Sequence, residues 1–409
     1  MFGFLGFNAS MGKRQKQEMV SSSGKRQKQE MVSSSGKSPT KNSKEIPVDV
    51  LIDIFSRLPL EAVARSRCVS KLWSSVLRHQ DFTQLYLKDS SVKPRILFTF
   101  LDMGRRFFYS MPQDIDPDRD YSIPVSPYYQ MHFPTGLGSP YGVSPSILGF
   151  ICTQSRKPMI CNPSTGEFIS LPIATAKKHQ TRTCFGYDPI GKIFKVLCVS
   201  DDYVCRVATL GKEKVSWRRV ECSNPHQPLA TTEICIGGII YYLTKCMENV
   251  SPTGYTIVCF NVRSESYTFL GVDGFRIYRS ALINYHGKLG ILFQYRDVKN
   301  NNFGFELWVL EDADEAKWSK TVHILPYHWQ HLVAEGNPNI VGMTIAGEIV
   351  LSDTFLLKPF YMYYFDTVKS DVLRMEIDFG TVAMKKKKPY YSRMIFPLIN
   401  HVENVELMD

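Results

Sequence analysis

The sequence predicts an α+β multidomain chain: a small three-helix unit followed by an all-β propeller of about six blades. Two observations predict this. Between Ile46 and Leu77, apolar residues recur at helical spacing in short segments punctuated by proline and serine. From Arg95 onward the pattern changes to short apolar runs separated by turn residues, and the turns recur about every 50 residues. With 409 residues the chain has room for two or three domains, and its 44% hydrophobic content is ordinary for a folded globular protein.

The first segment, residues 1–43, reads as a disordered basic tail. Lys13 to Gly24 is repeated without change as Lys25 to Gly36, in a Ser/Lys/Gln-rich composition that cannot bury a core. Residues 1–44 hold nine Lys/Arg and two Glu, so +7 of the chain's net +10 lies there. Much of the remaining excess is the run Lys385 to Lys388, and the body is otherwise near neutral. That argues against a nucleic-acid partner, which needs a basic face on the folded domain. The apolar start at Met1 is short and its positive charges follow it, so it makes a poor signal peptide. No apolar run reaches the length of a membrane span. The expected location is cytoplasm, nucleus or both.

The second segment, residues 44–90, is expected to hold the helices and a linker. Leu51, Ile54, Phe55 and Leu58 make an i, i+3, i+4, i+7 stripe, while Val48, Val50 and Ile52 add apolar surface on other flanks. One stripe suffices for a helix packed on one side, so the surplus must bury against something else. Pro59 ends this helix and suits the start of a second, from Leu60 to Val69. Ser70 is placed to cap a third, from Lys71 to Leu77. Gln80 to Ser91 reads as a further helix or linker.

These residues resemble the F-box of plant F-box proteins. The resemblance rests on Ile46-Pro47, on Arg57-Leu58-Pro59, and on Cys68-Val69-Ser70-Lys71 with Trp73, in order and spacing. It implies docking to the SKP-family adaptor of a cullin–RING ubiquitin ligase, with the cullin reached indirectly. The residues it would use are Ile46, Pro47, Leu51, Ile54, Phe55, Leu58, Pro59, Val69 and Trp73.

The third segment, residues 91–405, carries two interleaved series of turns. One is marked at positions 102, 162, 211, 261, 312 and 366, and the other at Gly191, Gly238, Gly287 and Gly347. Two hairpins per period mean four strands per unit, which is a propeller blade with a period near that of kelch repeats. Met394 to Ile399 could pair with the strand near residue 100 and close the ring. This region also resembles the plant F-box-associated domain, in Ile160 to Glu167, Phe185 to Pro189, Ile283 to Gly290, Leu307 to Asp312 and Thr344 to Leu351. That resemblance implies a domain that binds a target protein, without naming the target.

Little points to catalysis, and no cofactor is expected. Elbow and zinc-peptidase motifs are absent from the sequence. Ten cysteines include no Cys-x-x-Cys and mostly sit in apolar runs, as reduced core residues do. His323, His328 and His331 cluster, but a loop with surface histidines is the simpler reading. The alternating Asp114, Asp116, Asp118 and Asp120 fail the calcium-loop pattern, with Arg119 and Val125 where Gly and Glu belong. Loop aromatics such as Tyr327 and Trp329 could serve binding or packing. The reading is a non-catalytic substrate-recognition subunit of an SCF-type ubiquitin ligase. The alternative is an F-box scaffold, or propeller binding module, that recruits no ligase.

Overall fold

The computed structural model describes residues 46–102, 105–114, 123–132, 138–155, 157–175, 181–211, 214–229, 233–246, 255–271, 280–297, 302–333, 338–380, 384–385 and 394–408. The tail 1–43, with its tandem repeat, and Asp116, Asp118, Asp120 and Lys386 to Lys388 lie outside these residues. The chain divides into two units, Met1–Ile46 and Pro47–Asp409. The second unit holds both the helices and the propeller.

Four helices come first: α1 (Val48–Ser56), α2 (Leu60–Ser66), α3 (Lys71–Val76) and α4 (Gln80–Val92). Their starts follow from the punctuation in the sequence. The Pro47 carbonyl accepts from the Leu51 amide at 3.1 Å, and the Pro59 carbonyl accepts from the amides of Ala62 and Val63 at 2.9 and 3.1 Å. The Ser70 hydroxyl accepts from the Trp73 amide at 3.1 Å, the cap expected of it. The segment from Gln80, read as helix or linker, is helical.

Six antiparallel blades follow, which is the architecture the 50-residue period predicts. Blade two is built from Gly138–Val143, Ile151–Ser155, Met159–Asn162 and Glu167–Ser170. Blade three uses Thr181–Asp188, Ile193–Ser200, Cys205–Thr209 and Trp217–Val220. Blade four splits its first strand into His226–Pro228 and Ile234–Ile236, then continues with Ile239–Cys246, Tyr255–Asn261 and Tyr267–Gly271. Blade five runs Ser280–Tyr285, Lys288–Asp297, Asn302–Asp312 and Lys317–Ile324. Blade six runs Asn339–Met343, Ile349–Ser352, Phe360–Asp366 and Asp371–Asp378. Its edge also gains Ile123–Pro124 as a parallel strand borrowed from the connection inside blade one.

Blade one closes the ring. Its strands Arg95–Asp102, Arg105–Pro112 and Ser126–His132 are joined by Ile395–His401, which pairs antiparallel with the first of them, Phe100 opposite Ile395 and Thr99 opposite Phe396. Met394 to Ile399 therefore closes the ring as the sequence suggests, with the pairing running on to His401. This closure also explains the one irregular step among the turn markers. The markers from 162 to 366 sit between the third and fourth strands of their blades, but the turn at 102 sits between the second and third strands of blade one. The equivalent connection there follows Pro112, which restores the 50-residue spacing.

The glycine series marks the hairpins between first and second strands. At Gly237-Gly238 and at His286-Gly287 both central residues have positive φ (58° and 86°, 49° and 87°), the turn whose twist matches the flanking strands. At Gly191 the neighbouring Lys192 takes the positive φ instead, at 52°.

The propeller has six apolar clusters, one between each pair of adjacent blades. Leu97 and Phe108 of blade one meet Ile151 and Met159 of blade two. Cys152 and Ile160 meet Phe185 and Val196, and Leu197 and Val207 meet Ile240 and Phe260. Ile257 meets Leu289 and Ile291, and Leu307 and Val309 meet Leu351 and Phe365. The last cluster sets Ile96, Phe98 and Phe100 against Val350, Phe360 and Tyr364, with Ile395 between them. Both faces of a strand are thus buried, which is why these strands read as continuous apolar runs rather than alternating ones. Lys195 adds a polar tie between blades three and four, its Nζ donating to the Val262 carbonyl at 2.6 Å and to Glu265 at 2.7 Å.

Closure buries a histidine. His401 is fully enclosed, its Nδ1 2.8 Å from Ser146 Oγ, and burial together with the Arg95 charge pushes its pKa down to about 3. Unfolded, it titrates near 6.5, so the unfolded chain binds the extra proton between these values. Its contribution is complete above about pH 6.5 and is lost as the pH falls toward about 3. Glu233, held up at about 7 by burial, acts with the opposite sign between its unfolded value and 7. The test is therefore a difference. Between about pH 7 and pH 5, urea unfolding of the wild type should lose about 2 kcal/mol more than that of His401→Gln. Equal losses would show that His401 is not held neutral.

Candidate functional site

The helical unit divides its apolar residues into an inner and an outer set. Leu51 and Phe55 of α1 are 4% and 2% exposed and pack with Val63, Val76, Leu77, Phe82 and Tyr86. Ile52, Leu58, Leu60 and Trp73 lie partly buried against this core, with the Phe55 and Trp73 rings edge to face at 4.9 Å. Val48, Val50 and Ile54 of α1 are 48%, 42% and 45% exposed, and Val69 and Leu72 before and within α3 are exposed as well. Ile46, in the preceding unit, is also exposed.

The structure sorts the residues of the sequence reading into these two sets. The stripe assigned to docking includes Leu51 and Phe55, but these fill the unit's own core, and Leu58 and Trp73 support it. The surplus lies on the flank one turn apart at Val50 and Ile54. Pro47 and Pro59 are exposed, and their backbone carbonyls start α1 and α2. Leu51, Phe55 and Leu58 of the stripe serve intramolecular packing. Ile54 belongs to that stripe in the sequence, yet it lies with Val50, one turn before it, on the exposed flank.

The segment after the closing strand holds the helices to the propeller, and nothing in the helical motif announces it. Val405 is 1% exposed and sits inside the helical core. Arg67 Nη2 donates to the Val405 carbonyl and also to that of Leu77 at 3.3 Å, and burial lowers the pKa of this guanidinium. Glu403 accepts from Tyr86 at 3.4 Å and lies 3.3 Å from Arg95, while its amide donates to Ser90 Oγ at 2.6 Å. On the other side, Asn162 Nδ2 donates to the carbonyls of Asn404 and Glu406, each at 3.0 Å. Asn404 Nδ2 donates to the Leu148 carbonyl at 2.7 Å. Asn162 is the turn residue of blade two that the sequence marked only as punctuation.

On the propeller, a cavity of about 280 Å³ is lined by inner-strand residues of several blades, among them Leu282, Ile283, Val341, Met343, Leu398 and Ile399. Trp329 is buried against Tyr363, so it serves packing, whereas Tyr327 is 83% exposed. Among the described residues, no group of three His, Cys, Asp or Glu could hold a metal ion. His323 lies near Phe365, His331 near Tyr327, and His328 is 3.6 Å from Asp371. No helix of the described residues is long and apolar enough to cross a membrane.

Two family models match the chain. Residues 44–85 match the F-box domain, and residues 95–402 match the F-box associated beta propeller domain. Among curated relatives from Arabidopsis thaliana, F-box protein At3g47030 is 47% identical over 421 aligned residues, which cover 100% of this chain and 97% of that protein. F-box protein At5g65850 is 38% identical, covering 90% and 92%. A protein described as E3 ubiquitin-protein ligase SGIP1 is also 38% identical, covering 90% and 94%.

The inner and outer sets predict different costs. Leu51→Ala should lower the unfolding free energy by about 2–5 kcal/mol, through lost burial and a cavity. Ile54→Ala should stay within about 0.5 kcal/mol. Denaturant melts followed by the fluorescence of Trp73, with the other tryptophans replaced, would measure both. Equal costs would remove the distinction between the two faces.

Proposed function

The chain belongs to the plant F-box proteins that carry an F-box-associated β-propeller domain, and from that premise we propose that it is the substrate-recognition subunit of an SCF-type ubiquitin ligase. The observation that carries the proposal is the exposed apolar flank of α1 on a unit whose own core is already filled. Val48, Val50 and Ile54, with Val69 and Leu72, offer side chains whose burial against an SKP-family adaptor would be favourable at about 25 cal/mol per Å², before association costs. Pro47 leads into this surface, and the resemblance would add Ile46. Leu51, Phe55, Leu58 and Trp73 shape it from within, and the exposed Pro59 follows it. In this reading a helix face meets a groove on the adaptor, and the cullin is engaged only through the adaptor.

The propeller would present a target protein. Its blades would supply the surface, and the strap 402–408 ties blades one and two to the helices. The chain itself would carry no chemistry: ubiquitin transfer would use the thioester cysteine of a partner enzyme, with the chain acting as a positioning subunit in the cytoplasm or nucleus.

The test uses the outer residues, because substitution of the inner ones would unfold the unit. Val50→Asp combined with Ile54→Asp should reduce adaptor capture by at least about a hundredfold, roughly 3 kcal/mol, since two carboxylates would have to be desolvated at the contact. Circular dichroism and the melting temperature should match the wild type. Undiminished capture by the double variant would refute the docking face. Adaptor capture by the wild type with no cullin in the complex would favour the scaffold reading instead.

A further inference from the structure

We propose that Cys205 and Cys222 form an oxidisable dithiol, a site of reversible modification at the junction of blades three and four. Six of the cysteines described are buried within or between blades. Cys222 differs from those six. It is half-buried, two residues past the outer strand Trp217–Val220, on the connection into blade four. Cys205 opens the neighbouring strand, directly opposite Val220 in the ladder, and is buried. Cys222 is thus the diagonal neighbour of Cys205, and both side chains belong to the apolar cluster between blades three and four.

A histidine completes the cluster. His226 is buried, and its Nδ1 lies 3.7 Å from Cys222 Sγ and 2.9 Å from the Asn224 carbonyl. Its Nε2 lies 2.6 Å from the hydroxyl of Tyr242. A carbonyl facing Nδ1 requires the proton there, and the Tyr242 hydroxyl can then donate to Nε2. In this tautomer the Nδ1 proton is directed at the Asn224 carbonyl, which also accepts from the Cys222 thiol at 3.3 Å, so the imidazole and the thiol lie side by side. The Cys205 thiol, with His226 beside it, lowers the pKa of Cys222, while the Cys222 sulfur and burial raise that of Cys205. The arrangement separates the roles: one partly accessible nucleophile, and one enclosed thiol behind it.

With hydrogen peroxide as the oxidant, the balance is complete. The Cys222 thiolate attacks one peroxide oxygen; an S–O bond forms, the O–O bond breaks, and hydroxide leaves. The Cys205 sulfur then attacks the Cys222 sulfenic acid; the S–S bond forms, the S–O bond breaks, and the departing hydroxide takes the Cys205 proton as water. Two thiols lose two electrons and two protons in all, and peroxide becomes two waters. The product would tie the outer hairpin of blade three to the connection leading into blade four.

The experiment treats the full-length protein with equimolar hydrogen peroxide, blocks remaining thiols, and maps peptides by mass spectrometry. Exposed Cys68 is the internal reference. The expected result is a peptide joining Cys205 to Cys222, formed at least about tenfold faster than any oxidation at Cys68 and reversed by dithiothreitol. Cys205→Ser should instead leave Cys222 as a sulfenic acid that dimedone traps. Cys222→Ser should leave Cys205 unoxidised. If Cys68 is oxidised while Cys205 and Cys222 both remain free in the wild type, the proposal fails. It also fails if Cys205 reacts as fast in Cys222→Ser as in the wild type. The wild-type comparison holds even if a serine variant does not fold.

Discussion

The pairing of Ile395–His401 with Arg95–Asp102 is the constraint on which the rest of the structure depends. A propeller stores its apolar energy between blades, so an open ring would leave two half-interfaces facing water. The clusters form a closed circuit only because Ile395 arrives between Ile96, Phe98 and Phe100 on one side and blade six on the other. The pairing joins positions about 300 residues apart, at a chain-entropy cost that grows only slowly with loop length. Closure also brings residues 402–408 back to the place where the helices leave the propeller.

That return explains how so small a helical unit is held. Its four helices present a core of few side chains, near the size where a lone core fails. Val405 supplies an apolar residue from the far end of the sequence, and Arg67 ties the two backbones together. Glu403 and Asn404 grip opposite neighbours, the first α4 and the base of blade one, the second blade two. Helices and propeller thus share part of their packing. Among the described residues of this unit, the flank around Val50 and Ile54 stays exposed.

Much of this was legible in the sequence. Blade number and closing strand followed from the turn period, because antiparallel blades repeat their punctuation whatever their side chains. The Ser70 cap and the helix-starting prolines were legible because they act over a few residues. The assignment of α1's two faces was not, since periodicity ranks apolar stripes without saying what covers them. Leu51 and Phe55 look the same in sequence whether they meet Phe82 or a partner. The strap was hidden for a different reason: Val405 and Asn404 lack any local pattern, and their role exists only after the ring closes. The pairing of Cys205 with Cys222 was equally invisible, because the spacing of 17 residues reflects a hairpin and its overhang rather than a motif.

The place of Val405 has a consequence for the order of events at the ribosome. The helical unit is synthesised early, but the carbonyl that Arg67 grips is made 338 residues later. Until then the unit has an incomplete core, and its angle to the nascent blades is unset. A chain that stops short can therefore expose the Val50–Ile54 face without presenting a target in register. Only chains synthesised past Val405 combine the two, so the strap is a structural precondition for orienting the propeller.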